Sequence, residues 1–374
     1  MAALKRSDND QEVIDIPIQV GAFSLGDSPN DDVSDVVAER QRLEEIVGYA
    51  VAADSWGIDS FGLGEHHEPG FVAASPIAIL AYIAAQTHRI RLATATTLLS
   101  VLDPIRVYED FAVLDQLSGG RAELVVGRSG YSKPFELFGL DFEDRDELFV
   151  QHLDTLLRVL AQDGQRTRAQ AEDASGLPYV TPRTLQSPLP VAIGIAGSPA
   201  SAERAGAMGL PLVVAFIRGQ VADLEHVVAT YRAAGHEHGH DETLHVTVAV
   251  HFHAAATEEE AVATFPNYRR YFTPRPSDLG GATHLTREDF QDRRGLDGPL
   301  FIGTPDALTD KAVRLHERVG FDAFHAQVDW GGLPRDAVLR ALRHLADDLA
   351  PALRALSSPA ARRPGGDPVS DAIG

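Results

Sequence analysis

The chain has no cysteine among its 374 residues. Disulfides, thiolate metal sites, iron–sulfur clusters and a cysteine nucleophile are therefore excluded. Basic residues are scarce: 33 Lys and Arg face 54 Asp and Glu, a formal net charge of -21. Nucleic acid and anionic membrane surfaces both require patches of Lys and Arg, so neither is an expected partner. No apolar run approaches the roughly eighteen residues of a membrane span. Residues 1–15 are polar and charged with no apolar segment, so no signal peptide is read and a soluble, cytoplasmic protein is expected. No fixed-period repeat is present. The 44% hydrophobic content nonetheless suffices for a large core, either in two domains or in one α/β barrel with insertions.

Apolar segments and helical periodicity alternate along the chain. Strands are expected at residues 16–23, 58–63, 90–97, 122–126, 191–195, 212–216, 244–252 and 323–328, with amphipathic or apolar helices between them. Ser75-Pro76 and Ser198-Pro199 read as helix starts, with serine at the N-cap and proline at the first helical position. Eight strand–helix units imply a closed (β/α)8 TIM barrel rather than a doubly wound sheet. Residues 161–190 and 265–302 break the rhythm and read as insertions. The second leaves the carboxyl end of the seventh expected strand and is expected to act as a lid. The organisation expected is a flexible N-terminus at 1–15, a barrel at 16–356 and a disordered tail at 357–374.

Gly64-Glu65-His66-His67-Glu68 follows the second strand directly. Imidazole serves as acid, base or ligand near neutral pH, and the carboxyl ends of strands carry the sites of such proteins. The bland reading is that one histidine packs while the other bonds a loop. Gly197, Ser198 and Ser201 lie on a turn from strand to helix, where free N–H groups and the helix dipole suit a phosphate; plain capping by Ser198 also explains it. At the end of the fourth strand, Gly127 allows close approach of a flat ligand and Arg128 can neutralise a phosphate. The alternative there is a loop arginine in a surface ion pair. His251 and His253 share one face of a strand end, a spacing that suits a metal. A hydrolase barrel carries such a pair on its first strand, however, and packing is the favoured reading.

Taken in order, several motifs resemble the bacterial-luciferase-like, flavin-dependent monooxygenases. They are Gly64-Glu65-His66-His67, then Thr87-His88-Arg89-Ile90-Arg91-Leu92-Ala93-Thr94, Asp103-Pro104-Ile105-Arg106, Leu114-Asp115-Gln116-Leu117-Ser118-Gly119-Gly120-Arg121 and Ile302-Gly303-Thr304-Pro305. The resemblance implies a barrel binding FMN at its carboxyl-terminal face, and a reaction of reduced flavin with O₂ through a C4a-(hydro)peroxide. It implies that His66 helps form or steady that species and that Ala95 and Thr96 are joined by a non-prolyl cis peptide under the flavin ring. It implies that Arg128 binds the phosphate together with Gly197, Ser198 and Ser201. Two departures from bacterial luciferase, Gly127 where a cysteine stands and Gly197 where a glutamate stands, argue against transferring light emission. No nicotinamide fingerprint is present, so a separate flavin reductase is the expected electron source. A homodimer is expected on the apolar helices 76–85 and 104–117. F420-dependent hydride transfer on the same fold, a catalytically silent flavin-binding protein and a metal-dependent barrel hydrolase remain as alternatives.

Overall fold

Eight parallel strands close on themselves in this computed structural model, which describes residues 17–28, 35–272 and 285–356. The described residues form ten strands: β1 (Gln19–Ser24), β2 (Ser60–Leu63), β3 (Arg91–Thr94), β4 (Thr97–Leu98), β5 (Ala122–Gly127), β6 (Val191–Ile195), β7 (Leu212–Ala215), β8 (Val246–Ala254), β9 (Leu300–Gly303) and β10 (Ala323–Asp329). The barrel runs β10-β1-β2-β3-β5-β6-β7-β8, and pairing of β10 with β8 closes it. This is the expected (β/α)8 architecture. The expected flexible N-terminus and disordered tail lie outside the described residues.

Outward-facing residues of the strands, among them Val20, Phe61, Leu92, Leu124, Ile193, Val214, Val248 and Phe324, share one core with the surrounding helices. Each such side chain, fully buried, contributes about 1.5–3 kcal/mol. Parallel strands covered in this way read as near-continuous apolar runs, which is why the sequence located them. Helix starts follow the local chemistry. Asp103 caps Pro104–Ser118 by accepting the Arg106 N–H, and Gly119, at φ 72°, ends that helix in a left-handed turn. Ser75 stands at the N-cap of Pro76–Ala84, but its side chain makes no capping bond.

The barrel interior is filled unevenly. At the amino-terminal end, polar pairs plug it: Ser60 Oγ lies 3.0 Å from His325 Nε2, and Arg91 pairs with Glu123. Toward the carboxyl end, the inward positions of β6 and β7 are Ala192, Gly194, Val213 and Ala215, all half-buried. Small residues there leave the mouth open, whereas the floor is packed.

Two features depart from the expected elements. The described part of the insertion at 265–302 is largely regular. It contains helices Phe265–Tyr271 and Arg287–Arg294 and runs into β9, which extends β8 through pairs such as His251↔Leu300. Only three apolar residues follow Gly298-Pro299, too few to read as a strand. The closing helical segment is a helix Arg335–His344, a π-helical turn Leu345–Leu349 and a helix Ala350–Arg354. Pro351 has no N–H to continue the regular ladder, which accounts for a change of pitch beside it.

Candidate active site at the barrel mouth

The step from β3 to β4 forms the floor of the mouth. The Ala95–Thr96 peptide is cis and not prolyl. Four glycines make room for it. A Cβ at Gly194 would stand 2.3 Å from Thr96 Cγ2, one at Gly127 2.7 Å from Thr96 Oγ1, one at Gly64 3.0 Å from the Ala95 carbonyl oxygen, and one at Gly62 3.2 Å from Ala95 Cβ. The space that the sequence assigned at Gly127 to a flat ligand is thus held by the Thr96 side chain. Ala95 and Thr96 are themselves half-buried at the edge of the open mouth.

Glu65 fastens this floor. Its backbone N–H donates to the Thr96 carbonyl at 3.2 Å, and its carboxylate accepts the Leu98 N–H at 3.0 Å. The other carboxylate oxygen lies 2.8 Å from His67 Nε2. Glu65 therefore orients His67. The alternation of neighbouring side chains along an extended segment sends His66 the other way. Its ring stacks on Phe71 at 4.1 Å between centroids, tilted by 20°, with Tyr131 at 6.1 Å. The supporting loop is tied by the His66 N–H donating to the Ala73 carbonyl and by an antiparallel bridge between Asp27 and Phe71.

Beyond β5, Arg128 pairs with Asp146, and both side chains are half-buried. The structure thus shows Arg128 in the ion pair that the alternative reading expected. Beyond β6, Gly197 turns at φ 92° and Ser198 caps Pro199–Ala207, accepting the Ser201 N–H at 3.4 Å. The shared contact of Gly127 and Gly194 with Thr96 brings the ends of β5 and β6 together, so Arg128 and the helix start flank one side of the mouth.

The far wall was missed in the sequence, because its residues are distant along the chain. Gln327 of β10, fully buried, donates from Nε2 to the Tyr271 hydroxyl at 3.0 Å. It is in register with His251 of β8, whose Nδ1 lies 2.9 Å from the Tyr268 hydroxyl. Burial, and then the positive charges of Arg293 and Arg218, push the His251 pKa down to about 3, so the ring is neutral. His253 packs against Trp330, with burial lowering its pKa to about 4. Among the described residues no cluster of three or more metal-ligating side chains forms. The described part of the 265–302 segment lies over this wall, at the carboxyl end of the barrel, with Asn267 donating to the Gly331 carbonyl at 2.9 Å. At the rim between β1 and β10, Ser24 Oγ and Arg42 both donate to Asp329 Oδ2, at 2.8 and 2.6 Å.

The model of the luciferase-like monooxygenase family matches residues 18–323. Among curated proteins, the alkanal monooxygenase alpha chain of the Kryptophanaron alfredi symbiont is 27% identical over 209 residues, covering 54% of this chain and 57% of that protein. The oxygenase component of the flavin-dependent trigonelline monooxygenase of Acinetobacter baylyi is 23% identical, covering 80% and 87%. The chain thus spans less than two thirds of the first of these relatives and most of the second. Among solved structures, the monooxygenase RslO1 of Streptomyces bottropensis superimposes with a TM-score of 0.73 at 22% identity, covering 89% of this chain and 99% of that one. The oxygenating constituent of 3,6-diketocamphane monooxygenase of Pseudomonas putida, in complex with FMN, gives 0.67 at 20%, covering 90% and 99%. An F420-dependent secondary alcohol dehydrogenase gives 0.66 at 15% with the same coverage. At such identities the structural likeness speaks for the fold alone, and it is the family match across most of the barrel that assigns the chain. The protein belongs to the luciferase-like monooxygenase family.

Proposed function

We propose that this protein is an FMN-dependent monooxygenase that uses reduced flavin and O₂ to oxidise a small organic substrate in the barrel mouth. The observation that carries the reading is the floor at Ala95 and Thr96, fitted by four glycines, half-exposed to the open mouth and flanked by Arg128. A flat backbone step at the base of an open, small-residue cavity fits a planar ring. The Arg128–Asp146 pair is open to solvent on one side, so Asp146 can be exchanged for a phosphate at modest cost. The helix start at Gly197, Ser198 and Ser201 adds backbone N–H donors for the same phosphate. Bound FMN supplies the electrons and the oxygen-reducing chemistry.

The protein's own part is to bind, orient and handle protons. Ala95 and Thr96 line the ring site, and Gly127 gives the Thr96 side chain its room. His66, held against Phe71, takes up or returns a proton at the reacting face. Reduced flavin comes from a separate reductase, a reading favoured by the relative named as an oxygenase component. A homodimer forms on the helices Pro76–Ala84 and Pro104–Ser118, where Tyr82 and Leu117 are 64% and 74% exposed. Light scattering at micromolar concentration checks this, and a monomer there removes it.

The test is a thermal-stability screen with FMN, FAD and F420, since a ligand that binds the native state raises Tm increasingly as its concentration exceeds Kd. Dose-dependent stabilisation by FMN is expected. Stabilisation by F420 alone would convert the reading to hydride transfer on the same fold, and stabilisation by none would remove it. A yellow FMN complex that consumes no O₂ when given reduced flavin would indicate a silent binding protein.

A further inference from the structure

Arg218 and Arg293 come from distant parts of the chain and converge on one aromatic ring. Arg218 lies in the loop that leaves the carboxyl end of β7, with its guanidinium carbon 5.9 Å from the centroid of Phe272. Arg293 lies on the helix Arg287–Arg294, at 5.1 Å from the same centroid. The Phe272 and Tyr271 rings meet His251 edge-on at 5.7 and 5.4 Å. His251 belongs to β8, which stands across the eight-stranded ring from β3, so this wall faces the Ala95–Thr96 floor over the open mouth.

Among the described residues, neither arginine makes an ion pair or a hydrogen bond to a carboxylate. Asp289, one turn back from Arg293, is committed to the capping box with Thr286. The Arg293 NH1 group is buried with no hydrogen-bond partner. In a chain of net charge -21, acidic partners are not scarce. Burying a guanidinium N–H without an acceptor is costly, and the natural remedy is a carboxylate, which matches the guanidinium fork.

We propose that this wall is the substrate's anion-recognition subsite. It takes the carboxylate of an organic acid on Arg293 and Arg218 and lays the body of the molecule against Phe272 and Tyr271. The proposal rests on the monooxygenase reading, because it assigns the substrate class of that same cavity. Neutral His251 then contributes a hydrogen-bonding edge and no competing charge. Specificity follows chiefly from Arg293, since a neutral analogue leaves its buried NH1 group without an acceptor.

Calorimetric titration of FMN-loaded and FMN-free protein with benzoate and with benzamide tests this. Benzoate is expected to bind at least tenfold more tightly than benzamide. Arg293→Gln and Arg218→Gln are each expected to weaken benzoate fivefold or more without changing FMN affinity, and in the FMN-free protein Arg128→Gln is expected to leave benzoate unchanged. Arg218 is exposed on its loop, so that variant reads the proposal even if Arg293→Gln fails to fold. Equal binding of the two probes, a benzoate preference that survives both wall substitutions, or a loss at Arg128→Gln instead would each overturn it. The FMN-free arm keeps the outcome separate from the flavin reading, because an anion preference is measurable there whether or not FMN binds.

Discussion

Gly194 and Thr96 occupy one another's space: a Cβ on the glycine would lie 2.3 Å from the threonine Cγ2. Thr96 is β-branched and stiff, so it has no easy alternative rotamer. Gly194→Ala is therefore expected to destabilise the protein by about 1–3 kcal/mol, the usual cost of overpacking. It is also expected to weaken flavin binding, since the floor must shift. Adding Thr96→Ala should recover most of the stability loss, and urea unfolding of the double-mutant cycle checks the coupling. Additive losses would mean that Gly194 acts elsewhere.

Glu65 is buried and serves the Leu98 N–H and His67 at once. Glu65→Ala leaves a buried backbone donor unsatisfied, at about 1–3 kcal/mol. Glu65→Gln keeps one acceptor and is expected to cost less. Chemical denaturation of the two variants ranks them, and an equal cost would show that the carboxylate's charge, not its geometry, matters.

His66→Ala is expected to lower product formation by roughly a hundredfold, the scale for losing one acid–base group. FMN affinity should hardly change, because the phosphate anchors lie beyond β5 and β6. Hydrogen peroxide should rise as turnover uncouples. His67→Ala is expected to be milder, as its ring lies edge-on to Phe138 and bonds Glu65. Rapid-mixing absorbance and peroxide assays compare the two variants. Normal turnover without His66 would assign the histidine pair to packing.

Three buried histidines give the fold a definite acid sensitivity. Burial above all lowers His251 to about 3 and His253 and His325 to about 4, from 6.5. The unfolded chain takes up these protons below pH 6.5 and the folded one does not, so their stabilisation is complete above 6.5 and lost as pH falls toward 4. Asp329 works in the opposite sense: burial raises it to about 6, so its contribution is present at low pH and lost as pH rises through 6. With three groups against one, unfolding free energy is expected to fall between pH 6.5 and 4, by up to ~1.4 kcal/mol per pH unit for each histidine. His253→Asn should flatten that slope in denaturant titrations at several pH values, and an unchanged slope would contradict the assignment.

The parts of this site that a sequence displays are those encoded locally. Prolines at 76, 104 and 199 marked helix starts because their fixed φ suits the first turn, and the fully buried run of β8 marked a strand. His66 and Arg128 were found because each directly follows an apolar strand. The direction in which Glu65 points was not legible, since nearness along the chain favours adjacent His66 while the side chain bonds His67, two residues on. β4 is two residues long and β9 four, below the length at which alternation is visible. The pairing of Arg218 with Arg293 over Phe272 depends on how two loops meet in space, and no periodicity encodes that.

The central claim is that the barrel mouth binds FMN by its phosphate at Arg128. Equilibrium titration of wild type and Arg128→Ala with FMN and with riboflavin, followed by flavin fluorescence, tests it most directly. Charge-assisted hydrogen bonds are worth about 1.5–3 kcal/mol each, so FMN is expected to weaken at least tenfold in Arg128→Ala. Riboflavin, which lacks the phosphate, should bind both proteins alike. Equal weakening of the two flavins, or none for FMN, would contradict the account.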